Sequence, residues 1–155
     1  MSIQLHPIGT VSNGHDQKPP GGWSGVISQA TIRRKYETAL SGLEDFSHIM
    51  VLFWLHRVAR HDRTRALVHP MGKQHLPLVG VFSTHSPVRP NPIAVTVCEL
   101  IQREGTVLTV RGLDALDGTP ILDIKSFSSG GVPGTTRQPA WMDEVLNSSR
   151  DSRDD

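Results

Sequence analysis

Short apolar segments, separated by glycine and proline, predict a chain built mainly from β-strands. Eleven prolines and fourteen glycines interrupt the sequence, and such frequent breaks favour short strands and turns over long helices. The run over 46–55 is apolar almost throughout, which is typical of a strand buried on both faces. The apolar segments are, in chain order, 3–11, 26–32, 46–55, 78–82, 93–102, 106–113 and 121–127.

Two segments have a helical pattern instead. Residues 33–40 predict one short helix. Residues 141–146 predict a brief helix, and the polar sequence after it predicts a disordered end. About seven strands with one or two small helices predict a mainly β fold, either a small antiparallel β-barrel or a strongly curved sheet. We expect this domain to cover 1–140, with the helix and the disordered tail over 141–155.

Composition limits the class of protein. A chain of 155 residues suits one domain with a core that is stable without disulfides. The single cysteine, Cys98, allows no internal bridge and fits a reducing compartment. The sequence has no leader pattern and no apolar run long enough to span a membrane, so we expect a cytoplasmic protein without a membrane partner.

Positive charge is concentrated in one part of the chain, although the net charge is only +1. Residues 57–75, called the basic segment below, contain five cations and a single acidic residue, Asp62. Such a segment is either a solvated loop or a patch that contacts RNA phosphates, and the sequence leaves both open. Its histidines lack the spacing of a metal site and no cysteine cluster accompanies them, so no metal is predicted. The candidate RNA-binding residues are Arg57, Arg60, Arg63, Arg65 and Lys73.

The most distinctive stretch is 80–93, called the proline segment below, which reads GVFSTHSPVRPNPI. Each proline fixes its own φ and restricts the residue before it, here Ser86, Arg89 and Asn91. The segment is therefore either a rigid connector between strands or a pre-shaped wall that directs polar side chains at a ligand.

The proline segment resembles the GVFATRSPxRPNPIG signature of the TsaA-like (TrmO) family. Three further stretches, HPIGTVSN, LSGLEDFSHIMVLFWLH and GLDALDGTPILDIKSF, resemble other blocks of that family, and together they cover most of 5–127. The resemblance implies a β-barrel that uses S-adenosylmethionine to methylate the exocyclic nitrogen of threonylcarbamoyl-adenosine beside the tRNA anticodon. It also implies a homodimer, with the methyl donor bound near the dimer interface. No Rossmann or P-loop motif occurs in the sequence.

The matched blocks imply two groups of site residues. A carboxylate is needed to take the proton that the methylated nitrogen loses, and Asp114, Asp117 and Asp123 are candidates among which the sequence does not choose. Asp123 and Lys125, two apart on one strand, are alternatively a structural ion pair. The expected catalytic residues are Asn91, Asp117, Asp123 and Lys125. The expected cofactor-binding residues are Pro19, Pro20, Gly21, Leu55, His56, His85, Ser86, Arg89, Val95, Leu113, Asp114 and Ala115.

The sequence departs from the family pattern near the expected cofactor. His85 stands where the family usually has arginine, and Pro19-Pro20-Gly21 stands where it usually has Pro-Arg-Gln. Histidine cannot bind a carboxylate with the two parallel hydrogen bonds that arginine offers. Two alternatives therefore remain, a non-catalytic module that binds S-adenosylmethionine and a paralogue that methylates a different acceptor.

Overall fold

Six antiparallel strands close a barrel in the computed structural model, which describes residues 2–131 and 133–151. The barrel strands are β1 (Gly9–Ser12), β2 (Ile27–Ile32), β3 (His48–Trp54), β6 (Ile93–Glu104), β7 (Val107–Arg111) and β8 (Pro120–Ser126). Around the barrel they follow the order β1-β2-β7-β6-β3-β8, and β1 pairs with β8 to complete the ring. The predicted antiparallel β-barrel with short helices is confirmed.

Two short strands lie outside the barrel. They are β4 (Leu67–Val68) and β5 (Val79–Gly80), which pair with each other in an antiparallel ladder. This ladder connects the middle of the basic segment to the start of the proline segment. The backbone N–H of Val81 extends the connection by donating to the carbonyl of Ala66 at 2.9 Å. The two segments that the sequence singled out are therefore neighbours.

The first barrel strand is shorter than predicted. Only Gly9–Ser12 pair, whereas the expected strand covered 3–11. Ile3 and Leu5 are exposed rather than inside the barrel. A Cβ at Gly9 would collide with the carbonyl oxygen of Thr31, so the close approach of β1 to β2 requires glycine at this position.

Strand β3 alternates between the barrel interior and the outside. Ile49, Val51 and Phe53 are at most 1% exposed, while the residues between them are only partly buried. The prediction of a strand buried on both faces is therefore wrong. A closed barrel has a single packed interior, so each strand contributes every second side chain to the core.

A bulge in β8 changes which face its residues occupy. Leu52 pairs with Asp123 but Phe53 pairs with Ile121, so Leu122 is the extra residue. As a result Ile121 and Ile124 both belong to the core side of the strand, and Asp123 lies on the other side. The predicted strict alternation, which placed Ile121 and Asp123 on one face, is wrong because of this bulge.

Both predicted helices differ in detail. The first is a 3₁₀ helix over Arg34–Leu40, anchored by the buried side chain of Leu40. The second, α1, covers Trp141–Asp151 and so includes residues that were expected to be disordered. That expectation is wrong for 147–151, and 152–155 lie outside the described residues. The division of the chain at residue 140 stays a prediction.

Glu144 attaches α1 to the basic segment. Its Oε1 accepts a hydrogen bond from Lys73 Nζ at 3.0 Å and lies 2.8 Å from His75 Nε2. Across residues 2–131 and 133–151, no helix combines the length and apolar character needed to cross a bilayer.

Candidate functional site

The proline segment forms one wall of a cavity of about 710 Å³, called the large cavity below. Residues from the end of β3, the start of β6 and the β7–β8 loop form the remaining walls, and Lys18 and Trp23 close one side. This volume lies in the range of sites that hold a cofactor or another small molecule. The wall interpretation of the proline segment thus agrees with its position in the fold.

Hydrogen bonds within the proline segment fix the shape of this wall. The hydroxyl of Thr84 donates to the carbonyl of Val81 at 2.9 Å and accepts from the backbone N–H of Ser86 at 3.1 Å. Arg89 reaches back along the segment and donates through Nη2 to the carbonyl of Thr84 at 3.0 Å. Because the side chains tie the backbone to itself, little ordering remains to be done when a ligand binds.

Arg89 also has an unused donor. Its Nε is buried and has no hydrogen-bond partner among the described residues. Because this atom has almost no accessible surface, a ligand in the large cavity does not reach it. Arg89 lines the cavity through other parts of its side chain, whose guanidinium carries further N–H donors.

His56 follows β3 and lines the large cavity. Its Nδ1 lies 3.4 Å from the hydroxyl of Thr119, which is buried at 2% exposure. Burial, and then the charge of Arg57, lower the pKa of His56 from its ordinary value of 6.5. A lowered pKa favours the neutral imidazole, which presents one donor and one acceptor nitrogen.

Asp114 is the one member of the three proposed proton acceptors that lines the large cavity. Although the residue keeps contact with solvent, the surrounding protein desolvates its carboxyl and raises the pKa above the ordinary value of 3.8. The positive charge of Lys18 partly offsets this effect. Asp114 thus combines exposure to the cavity with increased basicity.

Eight of the twelve predicted cofactor-binding residues line the large cavity. They are Leu55, His56, His85, Ser86, Arg89, Val95, Asp114 and Ala115. Pro19 and Pro20 are absent from its walls, and Gly21 lines a neighbouring cavity instead. Leu113 is fully buried in the barrel core, so its side chain packs within the protein.

The four predicted catalytic residues lie elsewhere. Asn91 borders a separate cavity of about 430 Å³ beside Trp54. Asp123 and Lys125 form an ion pair of 2.7 Å on the outer side of β8, which agrees with the structural alternative. The carboxylate of Asp117 accepts hydrogen bonds from the backbone N–H groups of residues 13 and 14. None of the four lines the large cavity.

Several lining residues were missed by the sequence reasoning. They are Lys18, Trp23, Phe53, Val58, Phe82, Thr84, Pro87, Ile93, Ala94, Thr96, Leu116 and Thr119. Phe82, Thr84, Pro87 and Ile93 could have been found from their place in the proline segment. Trp23 carries another signal, because a tryptophan in a polar, glycine-rich loop commonly marks a contact. The remaining residues come from strands and loops whose convergence only the fold reveals.

Most cations of the basic segment have partners within the chain. Arg57 pairs with Asp16 at 2.5 Å, and Arg65 pairs with Asp62 at 3.0 Å. Arg63 donates to the carbonyl of Val58 and lies over the ring of Trp54, 5.3 Å from its centroid. Lys73 pairs with Glu144 at 3.0 Å. Within the described residues Arg60 is exposed and takes no such partner.

A closed antiparallel barrel with a ligand-sized cavity at its side defines a small β-barrel binding domain. The family model described as "tRNA-methyltransferase O N-terminal domain" matches residues 16–130. The chain therefore belongs to this family, which confirms the resemblance drawn from its sequence blocks.

Proteins of known sequence and structure agree with this membership. A "probable S-adenosyl-L-methionine-binding protein" of Methanothermobacter thermautotrophicus is 43% identical over 131 residues, covering 82% of this chain and 91% of that protein. A protein of the same description from Archaeoglobus fulgidus is 36% identical, covering 99% of this chain and 42% of that protein. The human "tRNA (adenine(37)-N6)-methyltransferase" is 43% identical over 91 residues, 59% of this chain and 20% of that protein.

Similarity to solved structures extends over most of the fold. The crystal structure of TrmO from Pseudomonas aeruginosa superposes with a TM-score of 0.70 at 27% identity, covering 91% of this chain and 62% of that chain. The chain thus spans less than two thirds of that structure and of the Archaeoglobus relative, although it spans nearly all of the Methanothermobacter protein.

Proposed function

We propose that the chain binds S-adenosylmethionine in the large cavity and transfers its methyl group to the exocyclic amine of threonylcarbamoyl-adenosine beside the tRNA anticodon. The observation that carries the proposal is the rigid wall of the proline segment, which faces a cavity of about 710 Å³ together with eight expected cofactor-binding residues. The names of the archaeal and human relatives support the methyl donor and the tRNA substrate respectively.

The residues of the large cavity suit this cofactor. Leu55, Ala94 and Val95 supply an apolar surface for the adenine ring and the methionyl chain. Arg89 and His85 line the cavity and are the candidates to bind the cofactor carboxylate. When bound, S-adenosylmethionine supplies an already activated methyl group, so the protein needs to bind, align and exclude water rather than activate the donor.

One proton must leave the acceptor amine for each methyl group that it gains. The nitrogen lies between a purine ring and a carbamoyl group, which makes its N–H weakly acidic. Asp114 is the candidate acceptor of this proton, because its carboxylate borders the large cavity and its raised pKa makes it a better base than an ordinary aspartate. The proton moves to a carboxylate oxygen of Asp114 and then to solvent.

The basic segment is proposed to hold the RNA backbone near the large cavity. Arg57 lines the cavity itself and Arg60 is exposed nearby in sequence. An anticodon loop is single-stranded, so its bases can be turned outwards without melting a duplex. Salt-dependent contacts from these cations would position the loop without reading its sequence.

A methyl-transfer assay tests the proposal. Purified protein is incubated with S-adenosylmethionine carrying a labelled methyl group and with tRNA that either carries or lacks the threonylcarbamoyl group. We expect label to appear on the modified adenosine of the first tRNA only. Donor binding without transfer to either tRNA would contradict the proposed reaction.

A non-catalytic binding module is the second candidate. The observation that favours it is that none of the expected catalytic residues Asn91, Asp117, Asp123 and Lys125 borders the large cavity. His85 in place of arginine also favours a changed role. Donor binding with no transfer to total cellular RNA would support the module, whereas transfer to an unmodified tRNA would support a paralogue with a different acceptor.

We further propose a homodimer in the cytoplasm. Phe82 is 80% exposed and Leu78 is 54% exposed, and a second copy of the chain would cover such apolar side chains. Light scattering on the purified protein measures the mass directly. A monomer at all concentrations would contradict the dimer.

A further inference from the structure

We propose that a second cavity of about 470 Å³ beside the large cavity, called the small cavity below, holds the purine base of the methyl acceptor. This inference rests on the proposed function and assigns the acceptor to a place of its own. It also gives Trp23 a specific role, as the aromatic surface on which the base stacks.

The two cavities are neighbours with a shared boundary. Lys18, Trp23 and Asp114 line both of them. Along β6 the wall passes from Val95, which lines the large cavity, to Val97, which lines the small one. Residues two apart on a strand are separated by roughly 7 Å and face the same side. Ligands in the two cavities would therefore meet at the boundary, as donor and acceptor must.

The small cavity offers the chemistry that a nucleobase requires. The indole of Trp23 supplies a flat surface, and the ring of His15 meets it edge-on at 6.1 Å and 85°, which steadies its orientation. Bases turned out of an RNA loop are commonly held by stacking on such side chains. Glu99 and Arg111 line the cavity with an acceptor and a donor for the edge of a base.

Asp114 lies at the boundary where the reacting nitrogen would have to be. A base in the small cavity would direct its exocyclic amine towards the large cavity, past the carboxylate of Asp114. The amine gains a methyl group and its proton goes to a carboxylate oxygen of Asp114, while the cofactor leaves as the neutral thioether. One shared carboxylate between two cavities thus matches a reaction that joins two ligands.

The ion pair of Glu99 and Arg111 joins two barrel strands, but the barrel does not depend on it for stability. The two residues are cross-strand partners on β6 and β7, and their side chains meet at 2.8 Å. Both are about half exposed, so the pair contributes little to stability. Replacing Glu99 by glutamine is therefore a mild perturbation of the barrel that exchanges one acceptor oxygen and the negative charge at the small cavity for an NH₂ donor.

Binding of the free nucleoside and of the donor can be measured separately by calorimetry. We expect Val97→Trp, which fills the small cavity, to weaken binding of threonylcarbamoyl-adenosine by about tenfold or more while donor affinity stays within about twofold. Ile101→Trp is the matched control, because Ile101 is equally exposed on the same strand but lines neither cavity. It should bind both ligands as the unaltered protein does.

Glu99→Gln supplies a second test that does not depend on the fold tolerating a bulky side chain. We expect it to weaken nucleoside binding and to leave donor affinity unchanged. Unchanged nucleoside affinity in both Val97→Trp and Glu99→Gln would overturn the assignment of the small cavity, as would an equal loss of both ligands. If the unaltered protein does not bind the donor at all, the proposed function fails instead.

Stacking of the base on Trp23 can be measured separately, by tryptophan fluorescence. Its indole fluorescence should be quenched when the nucleoside is added to the protein, and Trp23→Phe should remove that quenching while retaining a smaller aromatic surface. Quenching that persists in Trp23→Phe would exclude Trp23 as the stacking residue.

Discussion

The carboxylate of Asp117 accepts a hydrogen bond from the backbone N–H of Asn13 at 2.7 Å, although 104 positions separate the two residues. The side chain of Asn13 returns to the same loop by donating to the carbonyl of Ala115 at 2.9 Å, and it donates to the hydroxyl of Ser28 at 3.0 Å. These bonds hold the loop that carries Trp23 against the loop that carries Asp114. The boundary between the two cavities depends on this attachment.

Removing the Asn13 side chain should destabilise the barrel. Asn13→Ala leaves the carbonyl of Ala115 and the hydroxyl of Ser28, which is 1% exposed, without their donor. We expect the free energy of unfolding to fall by about 1–3 kcal/mol, as measured by urea denaturation. Gln17→Ala, in the exposed part of the same loop, is the control and should stay within about 0.5 kcal/mol. A similar small change for Asn13→Ala would show that the attachment is not structural.

The same attachment should give a pH dependence of stability at low pH. The backbone N–H groups of Asn13 and then Gly14 lower the pKa of Asp117 from its ordinary value of 3.8. A carboxyl whose pKa is depressed by folding stabilises the protein above its unfolded pKa, and this contribution is lost as pH falls through the folded pKa. We expect Asp117→Asn to melt below the unaltered protein at neutral pH, with the gap in Tm closing below about pH 4. A gap that stays constant down to the lowest pH would contradict this explanation.

Arg89 should be required for the shape of the donor site. Its Nη2 donates to the carbonyl of Thr84 at 3.0 Å, and the residue also lines the large cavity, where further N–H groups of the guanidinium can meet an anionic ligand. Lysine carries one ammonium group and cannot serve both, so Arg89→Lys should weaken S-adenosylmethionine binding by about tenfold or more. Arg60→Lys changes an exposed arginine outside the cavity and should have no effect in the same calorimetric titration. Equal affinity for both variants would exclude Arg89 from the site.

Asp114 should control the fall of the methyl-transfer rate at low pH, which is the acidic limb of the pH–rate profile. The carboxylate must be ionised to accept a proton, so the single-turnover rate should fall as pH drops through its pKa, which lies above 3.8. Asp114→Asn should lower the rate by a factor of roughly 10² to 10⁴ and remove this limb. Asp123→Asn alters an aspartate that is ion-paired outside the cavity and should keep both the rate and the limb. If Asp123→Asn lowered the rate and removed its fall at low pH while Asp114→Asn did neither, Asp123 would be the base instead.

Arg60 should contribute to RNA affinity without contributing to stability. It is exposed and takes no partner within the described residues, so it is free to neutralise a phosphate. Arg60→Ala should reduce the slope of log affinity against log salt by about 1, measured with tRNA at several salt concentrations. Arg65→Ala, whose guanidinium pairs with Asp62 at 3.0 Å, should change the slope less. An unchanged slope for Arg60→Ala would place the RNA elsewhere.

Local sequence was enough to predict a mainly β fold and a rigid proline segment, whereas the family resemblance was needed to favour the closed barrel and the role of the segment as a cavity wall. The prolines at 87, 90 and 92 restrict the backbone wherever the segment lies, so its rigidity is a property of the sequence alone. Strand content follows in the same way from apolar runs bounded by turns. Predicting that the proline segment forms one site with the residues after β3 and in the β7–β8 loop required the family resemblance, because these parts meet only in the closed barrel.

Choosing among the carboxylates was beyond the sequence for a physical reason. Asp114 and Asp117 are three positions apart in one loop, yet the first borders the cavity and the second binds the backbone of another loop. Asp123 is turned away by a bulge whose position depends on the pairing of β8 with β3. In both cases the direction of the side chain is set by contacts between residues that are far apart in the sequence. A local sequence pattern cannot predict such contacts.

Val95 allows a direct test of whether the methyl donor binds beside the proline segment. Val95 lines the large cavity and is 49% exposed, so a larger side chain there fills the cavity without disturbing the core. Isothermal titration of S-adenosylmethionine into Val95→Trp should give no measurable binding, while Ile101→Trp on the same strand should bind as the unaltered protein does. Equal binding by Val95→Trp and Ile101→Trp would show that the methyl donor does not bind beside the proline segment.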